Sequence, residues 1–267
     1  MVLHCWGWLA LLPRAARPAP TFALRAYVAA QAGDELGAGV AGEPLKLLAI
    51  GEAFRTRAAV ALAVDNASQV MALGTFMLAA SCTLLLVHPV PRFHAQTLLA
   101  VVGTLLAGLG VILPLLLAGI LRRLHCLQGY GWTLRLAHAL DATRVFMRTR
   151  PRKILASVLL HGLGKAWIVP EMALALTLLG ARPSAALWLA PLSVLGSLLG
   201  TAIPGQAGTV EAALALGGVM TGVDPATVMA LAVLRRLRTG FWIVVGGLLV
   251  RKAIQRRQVP EGSTLDP

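Results

Sequence analysis

Charge is scarce in this 267-residue chain: 13% of its residues are charged, against about 25% in an ordinary soluble domain. A water-soluble globular enzyme is excluded on that ground. Aromatic residues are also few, at 5%, while hydrophobic residues make up 57% and mean hydropathy is +0.76. The apolar mass is Leu, Ala, Val and Gly, the mixture expected of helices packed closely in lipid. Cysteine is limited to Cys5, Cys82 and Cys126, widely spaced and without a CxxC pair, so neither a disulfide framework nor a zinc site follows. The chain carries no Walker A loop, no dinucleotide glycine fingerprint, no HExxH and no GxSxG, and no cofactor or metal is expected. Acids are outnumbered, 11 Asp+Glu against 24 Lys+Arg. These cations stand at the ends of apolar runs rather than among aromatics on a polar face, which points to the loops of a membrane protein and away from nucleic acid.

Crossing about 30 Å of hydrocarbon takes roughly 20 helical residues. Thr97 to Leu121 meets that length without a charge and ends at Arg122-Arg123. Ala58 to Val87, Ile154 to Gly180, Ser184 to Ile203 and Ala226 to Val250 are further candidates. Met1 to Leu12 is apolar but too short to cross and has no basic residue ahead of it, so it reads as the remnant of a span rather than a signal peptide. The expected fold class is an all-α polytopic transmembrane bundle of about six to seven membrane segments, forming a single domain over residues 1–250. Arg122 to Lys153 is strongly basic, with Asp141 its only acid. It is expected to be a cytoplasmic loop holding an interfacial helix near Trp132 to Phe146. Residues 251–267 are expected to be a disordered tail, basic then polar, on the same side.

Two places break the apolar pattern. One is Gly33-Asp34-Glu35 followed by Gly37, Gly39 and Gly42-Glu43-Pro44; the other runs from Gly200 through Pro204-Gly205 and Gly208 to Glu211. Proline removes an amide hydrogen and glycine relaxes the backbone, so broken or re-entrant helices are expected at 33–50 and 200–222. Paired interruptions in two halves are the sequence mark of a transport site. Ala207 to Gly222 would span only about 24 Å as a helix, which favours a re-entrant pair with the preceding segment.

Ionisable groups within spans cost about 2.5 to 3.5 kcal/mol each on insertion scales and therefore face partners or a cavity. Here they are Glu43, Asp65, Lys165, Glu171, Glu211, Arg235, Arg236 and Arg238. Glu211 or Glu171 is expected to answer the arginines of the last segment, or a lipid phosphate does. Pro170 is expected to kink the stretch between Lys165 and Glu171. His161 reads as a packed histidine rather than a ligand.

The run Ile203-Pro204-Gly205-Gln206-Ala207-Gly208-Thr209-Val210-Glu211, then Val233-Leu234-Arg235-Arg236-Leu237-Arg238 and Gly246-Gly247-Leu248-Leu249, resembles the PGxxGxxE region of the lysylphosphatidylglycerol synthase transmembrane family, also called flippase-like. Arg25, Val40-Ala41-Gly42-Glu43-Pro44-Leu45-Lys46 and Ala63-Val64-Asp65 with Gln69 are similar to its hopanoid-associated branch. The resemblance runs roughly from Arg25 to Val250. It implies a multi-pass protein of the bacterial inner membrane, C-terminus cytoplasmic, that moves a hopanoid or an aminoacylated phospholipid between leaflets or membranes. Gln206-Ala207 departs from the usual smaller residues, members usually begin with further spans, and no aminoacyl-transfer domain follows Pro267, so synthesis of the lipid is not expected.

The resulting expectation is a lipid transporter, not an enzyme. Pro204, Gly205 and Gly208 open a helix break; Glu211, Arg235 and Arg238 line a polar groove with Lys165 and Glu171; Glu43 and Asp65 contribute from the other half. Its partners are membrane lipids and lipid-biosynthetic enzymes. Two alternatives are a non-transporting scaffold for such an enzyme, and an intramembrane lipid-modifying enzyme with Glu211 and His161 as its acid/base candidates.

Overall fold

The computed structural model describes residues 1–36, 42–48, 50, 54–87, 97, 99–110, 112, 131–201 and 203–258. They form an all-α membrane fold with the helices α1 (Val2–Leu11), α2 (Pro20–Leu36), α3 (Glu43–Leu48) and α4 (Arg55–Val87), followed by α5 (Leu99–Gly110). After these come α6 (Gly131–Thr149), α7 (Pro151–Ala166), α8 (Ile168–Leu178), α9 (Ala186–Leu199), α10 (Thr209–Thr221) and α11 (Pro225–Gln258). No strand occurs among the described residues.

The stretch Arg55–Leu86, 32 residues of mean hydropathy 1.8, is long and apolar enough to cross a bilayer. It ends just before Pro89, and a residue preceding proline is pushed out of the helical region. Of the apolar run at Thr97 to Leu121, the described part is chiefly α5; residues 113–121 lie outside the described residues, as do 122–130 of the expected basic loop. Met1 to Leu12 does not stand apart: α1 packs on α7 and α4, with Trp8, Leu11 and Leu12 fully buried. Arg17 Nε and Lys153 Nζ each donate to the Leu12 carbonyl at 3.3 Å, placing cations where a helix C-terminus favours them.

The expected span Ile154 to Gly180 is divided. Pro170 has no hydrogen for the Ala166 carbonyl and its ring crowds that group, so α7 ends at Ala166 and α8 begins at Ile168. The stretch 184–222 becomes two short helices, α9 of 14 residues and α10 of 13, packed side by side. At about 1.5 Å per residue neither reaches across 30 Å of hydrocarbon. The connection is a 3-10 turn at Pro204–Gln206 in which Gly205 (φ 64°) and Gln206 (φ 54°) have positive φ, followed by Gly208 (φ 86°) at the start of α10. At the other break, α2 stops at Leu36 and α3 starts at Glu43; residues 37–41 lie outside the described residues. Asp34 Oδ1 accepts from the Gly42 amide at 2.8 Å.

Asp224 caps α11, its carboxylate accepting from the amides of Ala226 (3.0 Å) and Thr227 (3.2 Å), ahead of Pro225 at the first helical position. The helix then continues for 34 residues. Its final turns cover Arg251 to Gln258, so the first part of the expected disordered tail is helical: lysine, arginine, glutamine and alanine are good helix formers that prolong an existing helix at little cost. Residues 259–267 lie outside the described residues.

Helices meet through small residues, as membrane helices do. A Cβ on Gly74 of α4 would overlap the backbone of α5 at Ala107, and one on Gly103 would come 2.9 Å from the Gly74 carbonyl. The outward faces are apolar: Leu155, Leu159 and Leu163 along α7 with Trp167 just past its end, and Met229, Val233, Leu237, Phe241, Val244 and Leu248 along α11 are all exposed. Spacings of three and four residues put each set on one stripe.

Candidate functional site

Three arginines leave α11 in three directions because successive helical residues turn by about 100°. Arg235 faces α9, where Ser193 and Ser197 lie one turn apart; its Nη1 donates to Ser193 Oγ at 2.7 Å and its Nη2 to Ser197 Oγ at 3.1 Å. Arg236 faces the start of α10: Nε lies 2.5 Å from Glu211 Oε1 and Nη2 2.8 Å from Oε2. The same guanidinium donates to the carbonyls of Gly205 and, at 3.1 Å, Gln206. Arg238 faces α8, with Nη1 2.7 Å from Glu171 Oε1. Carboxylates therefore answer two of the three arginines, and hydroxyls answer Arg235.

Glu211 stands in the first turn of α10, where the helix dipole favours a negative charge. Its Oε2 also accepts from the Gly208 amide at 2.9 Å, so one carboxylate closes the helix end and holds the arginine. The left-handed residues of the Pro204–Gln206 turn aim their carbonyls at Arg236, and the helix break becomes a socket for a guanidinium. Bidentate pairing with a carboxylate adds geometric definition that a lysine would not supply.

These groups open onto a cavity of about 590 Å³ between α1, α2, the α7–α8 junction, α9 and α11. Of the residues singled out in the sequence, Lys165, Glu171, Gly205, Glu211, Arg235 and Arg238 line it. Gly208 and the Pro204 backbone build the turn behind its wall. Sequence reasoning did not place Arg236, Glu35, Gln31 or His4 in the groove, yet all four line it. Arg236 carried a signal, as the third cation of an apolar stretch, and Glu35 one as an acid of the first break; Gln31 and His4 carried none, because their approach depends on how α2 and α1 pack. Apolar wall is supplied by Ile168, Val194 and Trp242 among others.

Glu43 and Asp65 do not join this lining. They belong to a second polar cluster in the N-terminal half. Lys46 Nζ lies 2.9 Å from Glu43 Oε1 and 4.0 Å from Asp65 Oδ2, above the Tyr27 ring at 4.9 Å from its centroid. Asp65 Oδ1 pairs with His161 Nε2 at 2.8 Å, both side chains wholly buried, and Gln69 Nε2 donates to Asp65 Oδ2 at 3.0 Å. His161 Nδ1 lies 2.7 Å from His4 Nδ1. Asp65 is wholly buried and does not line the cavity, which its chain of contacts reaches only through His161 and His4. His161 partners Asp65 and His4, an arrangement distinct from the Glu211–His161 acid/base pair weighed above. No group of three or more His, Cys, Asp or Glu suited to a metal occurs among the described residues.

No curated protein and no solved structure matches the chain. The family described as the lysylphosphatidylglycerol synthase TM region matches residues 1–247. With a single family covering nearly all of a helical membrane protein, including the Pro-Gly turn, its arginine socket and the cavity they border, this chain belongs to the lysylphosphatidylglycerol synthase transmembrane-region family.

Proposed function

We propose that this protein moves a lipid with an anionic headgroup along the polar cavity, the headgroup entering the groove while the acyl chains stay in the bilayer. The carrying observation is the charge on the cavity wall: Lys165, Arg235, Arg236 and Arg238 against Glu35, Glu171 and Glu211. Ion pairs occupy Arg236 and Arg238. Among the described residues Lys165 and Arg235 have no such partner, and Arg235 is held by two neutral hydroxyls. A phosphate oxygen would complete both cations, since charge-assisted bonds to phosphate are about twice as strong as neutral ones. This favours a phospholipid, plain or aminoacylated, over an uncharged hopanoid.

Transport rather than synthesis is in keeping with the wall chemistry, which is suited to holding and releasing a headgroup. Desolvating the headgroup makes spontaneous passage slow, and a polar groove lowers that cost. The exposed apolar stripes of α7 and α11 supply the lipid-facing sides. In this reading the protein lies in the bacterial inner membrane with several crossings, and Arg122 to Lys153 and the basic end of α11 lie on the cytoplasmic side.

The test is scrambling of a fluorescent phosphatidylglycerol in proteoliposomes, read by quenching of the outer leaflet. Arg235→Ala and Lys165→Ala should each slow exchange, the pair together more than either, and a fluorescent uncharged lipid should exchange more slowly than the anionic probe. Unchanged exchange in the double variant removes the anionic-groove reading.

A further inference from the structure

Helices α1 and α7 run antiparallel. Lys153 at the start of α7 reaches the Leu12 carbonyl at the end of α1, while His161, farther along α7, meets His4 near the start of α1. The cavity lies at the end of this pair marked by His4 and Lys165. At the other end, about 18 Å away along α7 at 1.5 Å per residue, cations gather. Arg14 and Arg17 come from the turn after α1, Arg150 from the junction of α6 and α7, and Lys153 from the first turn of α7. Arg17 Nε and Lys153 Nζ share one acceptor, the Leu12 carbonyl, at 3.3 Å each. Burial, and then the like charges of Arg150, Arg17 and Arg14, hold the Lys153 ammonium below the usual lysine range. Among the described residues no carboxylate pairs with these four or with Arg152, and the first turn of α7 contains no acid.

Closing the end of α1 explains only part of this cluster. The last carbonyls of a helix lack partners within it, and Arg17 and Lys153 supply them, Arg17 Nη2 also reaching the Ala10 carbonyl at 3.4 Å. Arg14, Arg150 and Arg152 are exposed and serve none of those carbonyls; Arg150 stands over the Phe146 ring, 5.5 Å from its centroid. Packing of α1 on α7, not an opposite charge, holds the cations together. An anion from outside the chain would remove their mutual repulsion.

The adjoining surface says which anion fits. Leu155, Leu159 and Leu163 form the exposed stripe of α7, and Arg152, three residues before Leu155, stands at its head. Val2 and Trp6, four residues apart on α1, are exposed as well. A lipid-facing stripe thus runs straight into the cations, so a phosphate among them would have its acyl chains lying along the leucines. We propose that Arg14, Arg17, Arg150, Arg152 and Lys153 form a docking site for the headgroup of an anionic phospholipid, at the rim of the protein and separate from the cavity.

Native mass spectrometry of the intact protein in detergent, with phosphatidylglycerol and phosphatidylcholine of the same chain length added in equal amounts, tests this. The wild type should retain phosphatidylglycerol in preference. Measured also on a Lys165→Ala, Arg235→Ala background, the preference should persist, which separates the site from any lipid held in the cavity and from the outcome of the transport reading. Arg14→Gln with Arg150→Gln should lower the preference by roughly 25-fold, about fivefold for each cation near an anionic headgroup. Arg14→Lys with Arg150→Lys, altered at the same positions with the charge kept, should retain it. Arg57→Gln with Arg182→Gln, two exposed arginines outside the cluster, should leave it intact. Inorganic phosphate, which has no chains to lie on the α7 stripe, should not displace the lipid. The proposal is overturned if the glutamine pair keeps the preference, if the lysine pair or the Arg57 and Arg182 pair loses it as fully, or if inorganic phosphate displaces the lipid, which would assign the cations to a soluble anion.

Discussion

Arg236 holds both carboxylate oxygens of Glu211 and, with the same guanidinium, the carbonyls of Gly205 and Gln206. A residue of the longest helix thereby fixes the conformation of a turn 25 to 31 positions earlier in the chain. Lysine cannot reproduce this, having a point charge in place of a planar fork. The pair is partly open, with side chains 36% and 30% exposed, and screening limits its worth. Arg236→Lys should lower stability by about 1 kcal/mol, measured as a modest fall in the thermal midpoint in detergent.

The Arg238–Glu171 pair makes the opposite case. Its side chains are 49% and 37% exposed, and surface pairs of that kind contribute about 0 to 1 kcal/mol. Arg238→Gln should leave the thermal midpoint within error of the wild type. A large drop would mean that the pair is shielded by lipid.

Asp65 is wholly buried among Lys46, His161 and Gln69. Asp65→Leu leaves Lys46 with half its compensation and His161 without an acceptor, a change expected to cost about 3 to 5 kcal/mol. Asp65→Asn preserves shape and one hydrogen bond and should cost visibly less. Fluorescence-detected size exclusion after heating orders the two; equal losses would argue against a charge role.

Gly208 adopts φ 86° at the mouth of α10, a region costing a side-chain-bearing residue roughly 1 to 2 kcal/mol. Nothing stands within 4 Å of a Cβ built there, so Gly208→Ala isolates backbone strain from crowding. Its expected effect is a loss in that range, accompanied by weaker protection in hydrogen exchange of the Ala212 amide, which donates to the Gly208 carbonyl.

Gly74 crosses α5 at backbone contact. Gly74→Val must separate α4 from α5, and overpacking of this kind costs about 1 to 3 kcal/mol. The exposed Gly240 of α11, where a Cβ meets nothing within 4 Å, is the matched control; Gly240→Ala should be neutral or slightly stabilising. The difference between the two midpoints is the measurement.

How far each feature could be read from the residues follows from the range of the interaction behind it. The breaks at Pro170 and at Pro204-Gly205 were legible because a missing amide hydrogen acts within one helical turn. Apolar runs marked the segments for the same reason. The expectation that Glu211 or Glu171 answers the arginines named the acids but not the pairing: Arg236 takes the first and Arg238 the second. That choice is set by the rotation of α11 against α8, α9 and α10. His161, read as a packed histidine, is packed, yet its partners Asp65 and His4 lie 96 and 157 positions away.

Composition and local pattern alone thus determined an all-helical membrane protein with a proline-glycine break and costly charges in apolar surroundings. They did so because hydropathy, helix propensity and backbone chemistry operate between neighbours. Only the tertiary structure decided that those charges divide into two sets, one around an open cavity and one sealed behind His4. Burial and ion pairing depend on which helix faces are brought together, and small residues such as Gly7, Gly74 and Gly164 settle that by the distance of closest approach.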